Sequence, residues 1–322
     1  MGVLLSFFLG VKTTTMKRVL IATEKPFAPV AVKQITGILA DAGYEVRLLE
    51  KYTSKSELLD AVRDVQAIIV RSDTIDRQII EAASELKVVV RAGSGFDNLD
   101  LAACKEKGIV AMNTPGQNSN AVAELSVGLM IFMARGQFKG IAGTELKGKI
   151  LGIYGCGYIG RRVAKIAQCF GMKVIALDPC ITKIGMDTYD IIVASSVDDI
   201  FVKSDYVSLH IPSNPGTRKS INFELMSKMP KGATIVNTAR KEVIDEEGLK
   251  KMLEERPDFK YVSDIAPDCH AELTEKYPLR YYSTPKKQGA ETAEANINAG
   301  IAAAEQIVAF LEKGDQTFRV NL

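Results

Sequence analysis

Residues 149–160 read KILGIYGCGYIG, and the reading of this stretch decides the fold. An apolar run, ILGIY, meets three glycines, Gly155, Gly157 and Gly160, spaced G-x-G-x-x-G, and a helical pattern, YIGRRVAKIAQCFG, opens at Tyr158 and takes in the last of them. Strand, tight turn and helix in that order are the context in which the spacing reads as a dinucleotide site. Gly155 permits the turn, Gly157 lets backbone N–H groups approach a pyrophosphate, and Gly160 lets helix and strand pack closely. The helix N-terminus, with Tyr158 and Ile159 in its first turn, receives the phosphate charge. The next apolar run, KVIALD, closes on Asp178 and Pro179. A carboxylate at that point accepts hydrogen bonds from a ribose 2′-hydroxyl and repels a 2′-phosphate, which favours NAD over NADP.

Short apolar runs and helical patterns alternate on both sides of this motif. Upstream the order is RVLIAT, VAVKQITGILADAG, YEVRLLE, SKSELLDAVRD, AIIVRS, RQIIEAASE and VVVRAG. Downstream come YVSLHI, ATIVNTA and YVSDIA. Such alternation predicts βαβ units and parallel sheets. Two long helices are expected, over 119–136 with Ser119 or Asn120 as cap, and in TAEANINAGIAAAEQIVAFLEKG with a glycine stop. They bracket the second block, as they would if it were inserted into the first. The expected class is α/β, with two doubly wound parallel-sheet domains, a Rossmann cofactor domain inserted into a flavodoxin-like substrate domain. Residues 16–118 and 297–322 form the expected substrate-binding domain, with the tail FRVN returning to it, and 119–296 the NAD-binding domain.

The chain has 322 residues, enough for two cores. Its 41 Lys and Arg against 39 Asp and Glu leave a net charge of +2, which makes no electrostatic case for nucleic acid or an anionic membrane. Five scattered cysteines (Cys104, Cys156, Cys169, Cys180 and Cys269) suggest reduced thiols in the cytoplasm. The two histidines, His210 and His270, join no cluster that suggests a metal. Residues 1–15, MGVLLSFFLGVKTTT, hold an apolar run too short to span a bilayer and lack a basic leader. They read as a disordered extension, with Met16 the natural beginning. The chain ends soon after the second long helix, so no C-terminal regulatory domain is expected.

In open α/β sheets ligands bind beyond the carboxyl ends of the strands. IVNTAR closes on Arg240, which can grip a carboxylate with two parallel hydrogen bonds, and YVSDIAPD carries Asp264 and Asp268. The plain alternative for Arg240 is a surface cation at a strand end.

The segments GSGFDNLDLAACKEKGIVAMNTPGQNSNAVAE, GIYGCGYIGRRVA, LDP, LHIP, IVNTARKEVIDEEGL, SD and TPKKQGAETAEA occur in that order. Together they resemble the D-2-hydroxyacid dehydrogenase family from about Met16 onward, and within it the phosphoglycerate dehydrogenase branch. The resemblance implies NAD-dependent oxidation of a small D-2-hydroxy acid, 3-phosphoglycerate at the first step of serine synthesis, by a homodimer joined through the cofactor domain. It implies that Arg240 binds the substrate carboxylate and that Asp264 contacts the nicotinamide amide. His210 and Pro212 would line the nicotinamide side, and Thr238, Ala239 and Gly289 would face the cofactor. Thr217 would lie in the loop covering the dinucleotide. Arg71, Ser72, Gly93, Ser94 and Gly95 would approach the substrate.

Two positions depart from the family pattern. Its acid–base histidine, in T-P-H-x-G, is replaced within Thr284-Pro285-Lys286-Lys287-Gln288-Gly289 by lysine, with one residue inserted. The glutamate that normally charges that histidine falls on Cys269, with Asp268 just before it. Three readings compete. In the first, a lysine is the base, its amine made less basic by burial and by Arg240 nearby; Lys286 aligns directly, and Lys287 aligns if the insertion comes earlier. Asp268 is then a candidate partner, although pairing would oppose the lysine's role as base. In the second, His270 folds back to serve. In the third, catalysis is lost and an NAD-binding module remains. A glyoxylate or hydroxypyruvate reductase is the near alternative within the family.

Overall fold

Strand β1 (Arg18–Thr23) is the run RVLIAT, and it lies between β2 (Glu45–Glu50) and β3 (Ala67–Val70). With β4 (Val88–Arg91) and β5 (Val110–Asn113) they make a five-stranded parallel sheet in the order β2-β1-β3-β4-β5. That is the flavodoxin-like order. Successive residues face opposite sides of a strand. Leu20, Ile68, Val89 and Ala111 therefore meet the short helices α2 (Lys55–Ala61), α3 (Arg77–Ala82) and α4 (Leu101–Glu106) through Leu58, Ile79, Ile80 and Cys104. These helices start at side-chain caps: a Ser54–Glu57 capping box, Asp76 accepting from Ile79 N–H, and Asp100 from Ala103 N–H. A further helix, α1 (Pro29–Asp41), follows β1.

The computed structural model describes residues 16–179 and 190–322; the expected extension, residues 1–15, and Cys180 lie outside the described residues. The described residues fold as two compact units, one running up to Thr114 and completed by Ala299–Leu322, the other Pro115–Asn298. The tail closes the first unit. Arg319 forms an antiparallel bridge with Met112, Val320 N–H donates to Ala111 O at 2.9 Å, and buried Asn321 bonds both Ala111 N–H (3.0 Å) and Ile109 O (2.8 Å).

In the second unit seven parallel strands follow the order β12-β11-β10-β9-β6-β7-β8. They are β6 (Ile150–Tyr154), β7 (Lys173–Leu177), β8 (Ile192–Val193), β9 (Tyr206–Leu209), β10 (Thr234–Asn237), β11 (Lys260–Ser263) and β12 (Tyr281–Ser283). The chain moves from β6 to β7 in one direction and resumes at β9 on the other side of β6, so the β6/β9 border is the switch point where Rossmann sheets bind ligands. Helices cover both faces. Leu151, Ile153, Val236 and Val262 pack under α5 (Ser119–Ala134) and α6 (Tyr158–Cys169). Val207, Leu209, Ile235 and Tyr261 face the opposite layer, built by α7 (Val197–Lys203), α8 (Phe223–Ser227), α9 (Glu246–Glu255) and α10 (His270–Lys276).

Helix α5 starts at Ser119 as expected but differs from the expectation in its cap and its end. Its N-cap is Asn118, and it stops at Ala134 because Gly136 (φ 58°) and Gln137 (φ 57°) turn left-handed. The last helix, α11 (Ala293–Lys313), ends at Gly314 with φ 71°, whose N–H returns to Phe310 O. No helix among the described residues is long and apolar enough to cross a membrane.

Candidate active site

The turn between β6 and α6 is built by mutual close approach. Gly155 has φ 94°, and a Cβ there would lie 2.8 Å from the carbonyl carbon and oxygen of His210. A Cβ on Gly160 would come within 2.3 Å of Gly155 O. At Gly157, the N-cap of α6, a Cβ would meet nothing within 4 Å, and no side chain caps the helix. Open space in front of uncapped first-turn amides is what a pyrophosphate requires. Asp178 Oδ2 accepts Cys156 N–H at 2.7 Å, which fixes a carboxylate beside the turn. These residues fit a dinucleotide. Tyr158 is exposed, its ring lying against Gly116, while Ile159 is half-buried and Pro179 exposed.

Across the switch point, β9 leads directly into His210. Its Nε2 lies 2.9 Å from Ser208 Oγ, and its Nδ1 is sealed from solvent without a partner among the described residues. Part of the residue's surface is nevertheless exposed. Burial pushes the imidazole down to about 3, so it is neutral at physiological pH. Beyond it, Thr217 Oγ1 donates to Pro212 O and shapes the 212–217 loop.

Strand β10 ends in the turn 237–240. Thr238 is buried and its hydroxyl is 3.0 Å from Ser126 Oγ on α5, so the side chain serves to join helix and sheet. Ala239 is buried. Arg240 is half-buried, and its Nη1 donates to Ala239 O at 2.9 Å. No carboxylate among the described residues forms an ion pair with it.

Asp264, at the end of β11, is 1% exposed and organises the loop that carries the two lysines. Its Oδ1 accepts Gln288 N–H (3.0 Å) and lies 2.9 Å from Thr284 Oγ1, while Oδ2 accepts Gly289 N–H (2.8 Å). A carboxylate offers about four acceptor sites, and the loop takes most of them. Gly289 has to be small, since a Cβ would stand 2.9 Å from Asp264 Oδ2. Thr284 Oγ1 also lies 2.9 Å from Lys286 O.

Two expectations are corrected here. Lys286 and Lys287 are both exposed, so burial does not surround the candidate base. Asp268 is 78% exposed at its side chain and pairs with Lys241 Nζ at 2.5 Å, which leaves it a poor substitute for the family glutamate. The carboxylate that does lie beside Cys269 comes from α9. Glu246 accepts the N–H groups of Asp268 (2.8 Å) and Cys269 (2.9 Å). Burial first, and Glu246 next, push the Cys269 thiol up to about 12, so it stays protonated. His270 Nδ1 is 2.7 Å from Tyr281 OH.

In the first unit Arg71 Nη1 donates to Lys25 O (3.1 Å) and Pro26 O (3.2 Å), with its guanidinium 5.3 Å from the Phe27 ring centroid. Buried Asp73 sets this loop by accepting Glu24 N–H, Arg71 N–H and Tyr52 OH. Ser72 is exposed. In the turn 93–95, Gly93 O accepts Thr114 N–H and Ser94 O accepts Asn113 Nδ2–H. A Cβ on Gly93 would run into the Arg91 guanidinium, whose Nε donates to Arg71 O.

Residues 128–284 match the family described as D-isomer specific 2-hydroxyacid dehydrogenase, NAD binding domain. A hydroxypyruvate reductase of Thermotoga maritima is 38% identical over 280 residues, which cover 82% of this chain and 90% of that protein. The chain belongs to the D-2-hydroxyacid dehydrogenase family. It is an NAD-dependent enzyme of that family, and NAD is its cofactor. A D-3-phosphoglycerate dehydrogenase of Methanocaldococcus jannaschii is 38% identical over 291 residues, 84% of this chain and 54% of that one. The dehydrogenase spans about half the length of such curated phosphoglycerate dehydrogenases. The crystal structure of NAD+-bound 3-phosphoglycerate dehydrogenase from Entamoeba histolytica matches at TM-score 0.85 and 46% identity, over 95% of this chain and 99% of that one.

Asn237, Lys241, Glu246 and Tyr261 are brought beside the expected site residues by tertiary contact, which sequence reading did not anticipate. Asn237 had one signal, an amide ending an otherwise apolar strand.

Proposed function

We propose that the enzyme oxidises D-3-phosphoglycerate to 3-phosphohydroxypyruvate, in the cytoplasm and as a homodimer. The likeness to the Entamoeba histolytica phosphoglycerate dehydrogenase over nearly the whole of both chains carries this reading. NAD, when bound, supplies the acceptor for the hydride that leaves C2. The Gly155–Gly160 turn and the first-turn amides of α6, through Tyr158 and Ile159, hold the pyrophosphate, and Asp178 beside Pro179 holds the ribose. His210, Pro212, Thr217, Thr238, Ala239, Asp264 and Gly289 enclose the nicotinamide half, with Thr238 and Asp264 acting chiefly through the backbone they fix.

Arg240 takes the substrate carboxylate and stabilises charge on the forming carbonyl. Its lack of an ion pair among the described residues supports that role, since a half-buried guanidinium gains from an incoming anion. Lys286, with Lys287 as the alternative, takes the hydroxyl proton. Arg71, Ser72, Gly93, Ser94 and Gly95 contact the substrate. His270 is a weaker candidate for the base, because Tyr281 occupies its Nδ1.

NADH formation from D-3-phosphoglycerate and from D-glycerate, measured in parallel, tests the proposal. At least tenfold higher kcat/KM for the phosphorylated acid is expected. The opposite preference favours the hydroxypyruvate reductase reading that the Thermotoga maritima relative supports. No NADH from either acid overturns both.

A further inference from the structure

The turn that presents Arg240 is tied together by one side chain. Asn237 is fully buried at the end of β10, and three of its hydrogen bonds hold that turn and its support. Nδ2 donates to Arg240 O (2.9 Å) and to Tyr261 OH (3.1 Å), and Oδ1 accepts Ala239 N–H (3.0 Å). An asparagine side chain has two donor hydrogens and two acceptor lone pairs, so both donors are spent on this tie. Tyr261 lies on neighbouring β11, fully buried, with its ring stacked on Tyr281 at 6.2 Å and 2°. Tyr281 OH in turn meets His270 Nδ1 at 2.7 Å.

Such an arrangement is not core filling. The other residues of β10, Thr234, Ile235 and Val236, are buried without any comparable polar group reaching across strands. A buried amide and a buried phenol are costly unless each finds a partner. Here the partner of the phenol is the amide, and the partner of the amide is the carbonyl of Arg240. With that carbonyl held and the backbone at φ −145°, ψ 143°, the Cα–Cβ direction of Arg240 is set.

We propose that Asn237 and Tyr261 are positioning residues for the Arg240 guanidinium, acting on the 2-hydroxy acid and not on NAD. The proposal rests on the reading of Arg240 as the carboxylate grip. A turn cap alone would need only Oδ1 on Ala239 N–H, which an aspartate supplies equally well. The donors to Arg240 O and Tyr261 OH are what an aspartate lacks.

The test is a double-mutant cycle of Tyr261→Phe and Arg240→Lys, with Asn237→Asp alongside. For each variant KM and kcat are measured with D-3-phosphoglycerate and D-glycerate, and the NAD dissociation constant by titration. Tyr261→Phe keeps the stacked ring and removes the hydroxyl that accepts from Asn237 Nδ2. It is expected to raise KM for the acid about fivefold, as loss of one buried hydrogen bond implies, with NAD affinity within about twofold. In the Arg240→Lys background the same change is expected to cost nothing further, because lysine cannot make the bidentate contact whose aim is being set. Asn237→Asp is expected to raise KM at least as much as Tyr261→Phe does. If Arg240→Lys raises KM but Tyr261→Phe and Asn237→Asp do not, the positioning proposal is overturned and the Arg240 reading survives. Equal losses from Tyr261→Phe in both backgrounds overturn it too, as a general packing effect. An unchanged KM in Arg240→Lys overturns the carboxylate grip, and the positioning proposal with it. Should Asn237→Asp fail to fold, the cycle decides alone.

Discussion

A base takes a proton only when it carries none of its own, so the side chain that accepts the hydroxyl proton has to reach the substrate uncharged. Lys286→Ala and Lys287→Ala, assayed separately, should differ: one loses about 10²-fold or more in kcat, the size of a general-base contribution, and the other stays near wild type. High activity in both variants would remove lysine from the mechanism. His210 makes a second prediction at this scale. Its folded pKa is depressed to about 3 by burial, below the unfolded value of ~6.5. Between those two values the unfolded chain binds the extra proton, so stability falls as pH drops from about 6.5 and is fully present above it. His210→Asn should flatten the fall in urea stability between pH 7 and pH 4, by up to about 1.4 kcal/mol per pH unit. An unchanged slope would mean that the ring is not held neutral in the folded protein.

At the scale of elements, the three glycines of the β6–α6 turn should separate by what their missing Cβ would strike. Gly157→Ala adds a methyl to open space, so the protein should keep its Tm and lose NAD affinity. Gly155→Ala would meet the His210 carbonyl and sit at a positive φ, so it should lower Tm in the absence of NAD. Thermal melts beside NAD titrations check both, and a Gly157→Ala protein that binds NAD normally would contradict the placement of the pyrophosphate. The same elements show what the sequence discloses and what it withholds. Alternating apolar runs and helical spacing disclosed both sheets, because strand and helix periods are local properties of consecutive residues. G-x-G-x-x-G disclosed its turn for the same reason. The Thr238 hydroxyl meets Ser126, a contact that the resemblance did not foretell, and Asp268, expected beside a catalytic lysine, meets Lys241 instead. Those pairings join residues 112 and 27 positions apart, and no local pattern records them. The end of α5 falls two residues short of the expected one, because the chain already turns left-handed at Gly136, so the helix closes before the glycine that was read as its last residue.

At the scale of the molecule, the first unit depends on residues far along the chain. Asn321 bonds Ala111 N–H and Ile109 O, both across more than 200 positions. Asn321→Ala would leave two buried backbone groups without those partners, at a cost of about 2 kcal/mol. Its urea midpoint should fall accordingly, while NAD affinity, a property of the second unit, should not change. A fall in NAD affinity would show that the two units are not independent in this respect.

The return of residues 299–322 to the sheet of residues 16–114 also sets an order of events in the cell. The ribosome must translate the whole of 115–298 before the strand β5 can acquire its closing partner. A chain released after residue 298 should therefore hold a protease-resistant nucleotide-binding portion beside a still-vulnerable N-terminal one, although the latter was synthesised first.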